Sequence, residues 1–130
     1  MASHQLAGTR LLIVEDEYYL ADDAKSALSE VGAEVLGPVA TVSDARDLIE
    51  GGGAIDGVLL DINLRGEMAF EVADTLQSRG IPFAFVTGYD SGTLPERFSG
   101  TESLQKPVDP RQLVSVFGSL AASRKSNPTD

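Results

Sequence analysis

The sequence predicts a doubly wound α/β domain, in which helices cover both faces of a parallel β-sheet. Five short apolar runs alternate with segments whose apolar residues recur at helical spacing, and this alternation is typical of parallel strands joined by crossover helices. The first run is continuously apolar, as a strand buried on both faces requires. The chain has 130 residues, 42% of them hydrophobic, so we expect one domain with one core.

The predicted strands are short, and polar residues follow most of them. They span residues 11–14, 35–39, 58–60, 83–86 and 103–105. Pro38 lies in the second strand, and a proline cannot donate a hydrogen bond to a central ladder. We therefore expect the second strand near an edge of the sheet.

One predicted helix follows each strand. The helices span residues 18–31, 44–50, 68–79, 94–98 and 110–122. Gly32 and Gly80 end the first and third helices, and Ser43 is expected to cap the second. The folded domain is predicted to span residues 10–122, between an N-terminal tail (1–9) and a C-terminal tail (123–130).

The fourth helix is predicted to be unusually short. Gly88, Gly92 and Gly100 disfavour a long helix in this part of the chain. Thr93 and Glu96 form a capping box, which limits the helix to residues 94–98. A helix this short is marginal without tertiary support, so we expect residues 88–101 to exchange between conformations.

Composition excludes several classes of function. Lys and Arg number 10 against 20 Asp and Glu, which gives a formal net charge of −10 and disfavours binding to nucleic acid or to anionic membranes. There is no Cys, and the one His is residue 4, so thiolate and histidine catalysis are not expected. The N-terminus lacks the features of a signal peptide, and no apolar run is long enough to span a bilayer. We expect a cytoplasmic protein.

Polar residues at the strand ends predict a binding site. In doubly wound sheets ligands bind beyond the carboxyl ends of the strands. The residues found there are an acidic run at 15–17, Asp61, Thr87 and Lys106. Because converging carboxylates repel one another unless a cation joins them, this set predicts a Mg²⁺ site, since Mg²⁺ prefers oxygen ligands.

Each of these residues also has an ordinary structural explanation. The acids at 15–17 precede a helix, where they can cap its N-terminus. Asp61 is a common type of turn residue, Thr87 can begin a loop, and Lys106 can be a solvated surface residue. Their placement after four separate strands favours the site over these explanations.

Four motifs resemble the receiver domain of two-component response regulators. They are VEDE at 14–17, LLDINLRGE at 59–67, FVTGY at 85–89 and LQKPVD at 104–109, and the resemblance covers about residues 10–122. It implies a five-stranded sheet of flavodoxin-like order 2-1-3-4-5 and a cis peptide bond between Lys106 and Pro107.

The resemblance also implies a role for each site residue. Asp61 is expected to accept a phosphoryl group from the phosphohistidine of a histidine kinase or a phosphotransfer protein. Mg²⁺ is expected to bind Glu15, Asp16 and Asp61, with the backbone carbonyl of Asn63 completing the metal site. Thr87 and Lys106 are expected to bind the phosphoryl group.

Two features narrow the resemblance within the family. Residues 82–89 (PFAFVTGY) are similar to the PFxFATGY signature of the FATGUY subfamily, with Val86 in place of Ala. Ser103 stands where typical receivers have the aromatic residue that moves inward on activation. Tyr89 is either a half-buried loop residue or the replacement for that switch.

The resulting hypothesis is a stand-alone, monomeric receiver that acts through contact with a downstream protein and is not an enzyme. It would serve a phosphorelay as an intermediate or as a phosphate sink. One alternative is a Mg²⁺-dependent phosphatase with an Asp nucleophile, of the haloacid dehalogenase type, but Asn63 lacks the acid/base function that this chemistry needs two residues after Asp61. Another is a flavodoxin-like cofactor binder, whose phosphate the acids at 15–17 would repel.

Overall fold

Five strands form one parallel sheet in the predicted order. A computed structural model of the chain describes residues 5–88 and 94–126. Its strands are β1 (Arg10–Val14), β2 (Glu34–Val39), β3 (Gly57–Asp61), β4 (Asn63–Leu64), β5 (Glu67–Met68), β6 (Phe83–Thr87) and β7 (Glu102–Gln105). The parallel sheet has the order β2-β1-β3-β6-β7, and β4 pairs with β5 in a separate antiparallel hairpin. Counted without the hairpin, the order is 2-1-3-4-5, which confirms the predicted topology.

Helices cover both faces of the sheet, and each face has its own hydrophobic core. The helices are α1 (Tyr18–Glu30), α2 (Val42–Glu50), α3 (Phe70–Ser78) and α4 (Pro110–Ser126). Side chains of α2 and α3 pack with one set of strand residues, and those of α1 and α4 pack with the other. Successive strand residues point to opposite faces, so the apolar runs supply both cores, and the prediction of a single core is wrong.

The starts of the second and third predicted helices are wrong. Thr41, not Ser43, caps α2, because its hydroxyl accepts a hydrogen bond from the backbone N–H of Asp44 at 3.0 Å. The third helix begins at Phe70 and not at Met68, because the hairpin of β4 and β5 occupies the chain up to that point.

The predicted fourth helix is a single 3₁₀ turn, Glu96–Phe98. Pro95 is its N-cap and has an extended backbone, so the turn begins two residues later than predicted. Phe98 is fully buried, and its ring packs against Phe70 and Phe85. Tyr89, Gly92 and Thr93 lie outside the described residues, so the Thr93 half of the capping box does too.

The packed chain extends beyond residues 10–122. Leu6 is buried, and its backbone N–H donates to the carbonyl of Val31 at 2.8 Å. At the other end α4 continues to Ser126. Within the described part of the chain, no helix combines the length and the apolar character required to cross a membrane.

Two prolines, Pro38 and Pro107, follow cis peptide bonds. Lys106–Pro107 is cis, as predicted, and Gly37–Pro38 is cis as well. Pro38 lies in β2, which is an edge strand of the sheet. The expectation drawn from Pro38 is therefore confirmed.

Candidate functional site

The strand register brings the predicted site residues to one edge of the sheet. Val14 pairs with Leu60, so the residues that follow β1 lie beside Asp61 at the end of β3. Asp61 in turn pairs with Val86, and Thr87 ends β6 beside Gln105. Because the strands are parallel, their carboxyl ends form a common rim, as expected for this fold.

Asp61 is buried at the centre of this rim, and both of its carboxylate oxygens are held. Its side chain is only 2% exposed. Oδ2 accepts a hydrogen bond from the Lys106 ammonium at 2.9 Å, and Oδ1 accepts one from the backbone N–H of Asn63 at 3.1 Å. These contacts fix the orientation of the carboxylate.

Three carboxylates meet at the rim. Oxygens of Glu15, Asp16 and Asp61 lie within 4.8 Å of one another. Glu15 is also buried, and burial together with a hydrogen bond to Asp61 raises its pKa to about 8. A carboxyl group with such a pKa holds a proton at neutral pH in the absence of a cation. Without a cation, the three carboxyl groups of the cluster are therefore not all ionised at neutral pH.

Lys106 is the cation that faces the cluster. Its ammonium nitrogen lies 2.9 Å from Asp61 Oδ2, 3.1 Å from Glu17 Oε1 and 3.7 Å from Glu15 Oε2. Burial lowers the pKa of Lys106, but hydrogen bonds to Asp61 and Glu17 outweigh that effect and raise the pKa overall. Lys106 is therefore charged throughout the physiological range.

The hairpin of β4 and β5 closes one side of the site, and the sequence analysis did not predict it. Arg65 and Gly66 both have positive φ angles, 54° and 88°, as in the type I′ turns that join two-residue hairpins. The N–H of Arg65 donates to Asp16 Oδ2 at 3.0 Å, and that of Gly66 donates to Asn63 Oδ1 at 2.8 Å. Arg-Gly is a weaker turn signal than Asn-Gly, and for that reason it was missed.

The acids at 15–17 do not act as helix caps. Glu17 is the N-cap residue of α1, but its side chain makes no capping hydrogen bond. It contacts Lys106 instead. Glu15 Oε2 accepts from the N–H of Glu17 at 3.1 Å, one residue before the helix begins. Helix capping therefore does not explain the side-chain positions of residues 15–17.

The remaining predicted residues lie beside the cluster. Thr87 contacts the site through its carbonyl, which accepts from the N–H of Lys106 at 2.9 Å. Asn63 contributes its N–H to Asp61, and its carbonyl belongs to β4. Ser103 is exposed in β7 opposite Phe85. An aromatic switch is therefore absent from that position, and Tyr89 lies outside the described residues.

Comparisons with known proteins point to one family. SdrG from Sphingomonas melonis Fr1 has a similar solution structure (TM-score 0.77, 38% identity, covering 86% of this chain and 95% of SdrG), and so has SdrG in its BeF₃-activated conformation (TM-score 0.72, 34% identity, 93% and 99%). The response regulator PhyR from Brucella abortus matches 97% of this chain with 52% of its own length (TM-score 0.78, 29% identity). The transcriptional regulatory protein TcrA of Mycobacterium tuberculosis is 31% identical over 136 residues, which cover 98% of this chain and 50% of TcrA. No protein-family model matches the chain.

The fold, the acidic rim and these similarities define the class of protein. The chain belongs to the receiver domains of two-component response regulators. It spans about half the length of the curated relatives that it matches. The comparisons give no support to the phosphatase alternative.

Proposed function

We propose that Asp61 is the phosphoacceptor of this receiver and takes a phosphoryl group from a phosphohistidine in a Mg²⁺-dependent reaction. The observation that carries the proposal is the buried Asp61 carboxylate, held by Lys106 and faced by two further acids. Burying several acids beside a lysine costs folding free energy. The proposed phosphoryl transfer assigns a role to each of these residues.

Asp61 is suited to act as the nucleophile. The Lys106 ammonium and the Asn63 N–H hold and orient its carboxylate, and a carboxylate attacks phosphorus without a general base. One Asp61 oxygen attacks phosphorus while the bond from phosphorus to the histidine nitrogen breaks. The imidazole leaves with that electron pair, and the product is an aspartyl phosphate.

The donor set fits a divalent cation that prefers oxygen ligands. The carboxylates of Glu15, Asp16 and Asp61 would hold Mg²⁺, with the carbonyl of Asn63 as the further ligand that the family resemblance implies. Their oxygens are close enough to share one ion, and a cation would offset the burial and the Asp61 contact that raise the pKa of Glu15. When bound, Mg²⁺ supplies positive charge that stabilises the oxygens of the transferring phosphoryl group.

Lys106 and Thr87 are proposed to hold the phosphoryl group once it is on Asp61. Lys106 already contacts the acceptor carboxylate, and Thr87 ends the neighbouring strand. Positive charge and a hydroxyl donor at these positions would stabilise the phosphoryl oxygens.

We also propose the partners and the subfamily of this receiver. The phosphoryl donor would be a histidine kinase or a phosphotransfer protein, and the output would be contact with a downstream protein. The PFAFVTGY segment and the exposed Ser103 support assignment to the FATGUY type, with Tyr89 as the switch residue. The BeF₃-activated conformation of SdrG supports the use of a beryllofluoride mimic for this chain.

Phosphorylation by acetyl phosphate tests the proposal. The wild-type protein should gain one base-labile, acid-stable phosphoryl group in the presence of Mg²⁺ and none when the metal is chelated. Asp61→Asn should gain none while keeping the wild-type circular dichroism spectrum. Equal labelling of Asp61→Asn and wild type would reject Asp61 as the acceptor.

A further inference from the structure

Glu17 occupies a position at the rim that neither helix capping nor the metal cluster explains. Its carboxylate is 58% exposed, yet it lies 3.1 Å from the Lys106 ammonium. An exposed glutamate can place its charge in water at little cost, and an exposed ion pair contributes little to stability. The contact is therefore better explained by an effect on Lys106 than by an effect on folding.

Glu17 and Asp61 share the hydrogen-bonding capacity of Lys106. An ammonium group has three N–H donors, and two of them are directed to Asp61 Oδ2 and Glu17 Oε1. Glu15 stands farther off, at 3.7 Å. A phosphoryl group on Asp61 would bring additional oxygens to the same ammonium. Glu17 would then compete with those oxygens for Lys106.

The net negative charge of the rim also opposes the binding of a phosphoryl group at Asp61. The carboxylates of Glu15, Glu17 and Asp61 all lie within 4.0 Å of the Lys106 ammonium, and Asp16 adjoins them. The phosphoryl group and its mimics are anions, so every uncompensated carboxylate at the rim opposes their binding. Of the three carboxylates that contact Lys106, that of Glu17 is the most exposed and lies outside the proposed metal ligands.

We infer that Glu17 is a positioning residue that acts through Lys106 and weakens the capture of a phosphoryl group at Asp61. The inference rests on the proposed function of Asp61. In the unphosphorylated protein Glu17 holds the Lys106 ammonium toward the rim. In the phosphorylated protein Glu17 must share or release that ammonium, and this limits how tightly the phosphoryl group is held.

Binding of beryllofluoride in the presence of Mg²⁺ provides the test. Glu17→Gln removes the charge and keeps the side-chain length, and it removes no capping bond. It should bind beryllofluoride about three- to tenfold more tightly than wild type, the range expected for one charge at a partly exposed site. The matched control is Glu34→Gln, which removes an equal charge at the start of β2, at the opposite end of the sheet. It should bind as wild type does.

The salt dependence separates an electrostatic effect from a structural one. Between about 0.1 M and about 1 M salt the Debye length falls from about 10 Å to about 3 Å, so the ratio of the Glu17→Gln and wild-type affinities should shrink toward one. Unchanged or weaker binding by Glu17→Gln, an equal gain in Glu34→Gln, or a ratio indifferent to salt would each overturn the inference. If the wild type itself binds no beryllofluoride, the proposed function of Asp61 fails. If it binds and Glu17→Gln matches it, only the role of Glu17 fails.

Discussion

The Lys106 ammonium lies 2.9 Å from Oδ2 of Asp61, a carboxylate that is 2% exposed. The two residues are 45 positions apart along the chain, and they meet because β3 and β7 flank β6 in the sheet. The contact pairs a buried anion with a cation that is itself 21% exposed. This geometry places a positive charge directly against the Asp61 carboxylate and leaves one side of the ammonium facing the open rim.

Lys106→Met should destabilise the metal-free protein. The substitution leaves Asp61 buried without its cation, and we expect the free energy of unfolding to fall by about 2 kcal/mol, less than for a fully buried pair because Lys106 is partly exposed. Millimolar Mg²⁺ should recover part of the loss by restoring positive charge. Urea denaturation with and without Mg²⁺ measures both effects.

Lys25→Met is the matched control for that substitution. Lys25 is exposed on α1, so its replacement should change stability by less than about 0.5 kcal/mol. If both variants lose the same stability, or if Mg²⁺ restores nothing in Lys106→Met, the ion pair with Asp61 is not what holds the site.

Glu15 should make the stability of the metal-free protein depend on pH. Burial and the hydrogen bond to Asp61 raise the pKa of Glu15 from 4.5 to about 8. The folded state therefore holds a proton that the unfolded state releases, so this contribution to stability is complete below about pH 4.5 and is lost as the pH rises through about 8. Melting temperatures measured without metal should fall between pH 5.5 and pH 8.5, to a degree set by this pKa shift.

Glu15→Gln isolates this contribution, because the other titrating groups are common to both proteins. The variant should show a flatter melting profile across the same pH range. An unchanged slope would mean that another group, and not Glu15, carries the raised pKa.

Two glycines with nearly equal backbone angles should respond differently to substitution. Gly37 has φ +85° and Gly66 has φ +88°, so an alanine at either position is strained by about 1 kcal/mol. A Cβ at Gly37 would also lie 2.9 Å from the backbone nitrogen of Val39, whereas a Cβ at Gly66 would meet nothing within 4 Å. Gly37→Ala should therefore lose at least about 1 kcal/mol more stability than Gly66→Ala in chemical denaturation. Equal losses would show that the edge strand relaxes without cost.

The sequence predicted the sheet and the composition of the site because both depend on local patterns. Apolar runs and the acids that follow them are visible in one strand at a time, and the parallel topology then brings Glu15, Asp61 and Lys106 to one rim. The cap at Thr41 was missed because Ser43 is an equally good capping residue, and Val42 gives no sign that the helix begins there.

The sequence did not predict the contacts between side chains that are far apart along the chain. Glu17 was recognised as one of the rim acids, but its contact with Lys106 depends on the path of the chain after β7. The bond from the Arg65 N–H to Asp16 likewise depends on a hairpin whose Arg-Gly turn is a weak signal. In each case the missing information was tertiary, since no local pattern fixes which side chains meet across the rim.

Chemical trapping of the phosphorylated residue tests the central claim most directly. After reaction with acetyl phosphate and Mg²⁺, borohydride reduction converts an aspartyl phosphate to homoserine, which peptide mass spectrometry locates in the sequence. We predict homoserine at position 61 in the wild-type protein and at no position in Asp61→Asn. Homoserine at another aspartate of the wild type, with Asp61 unmodified, would contradict the assignment of Asp61 as the phosphoacceptor.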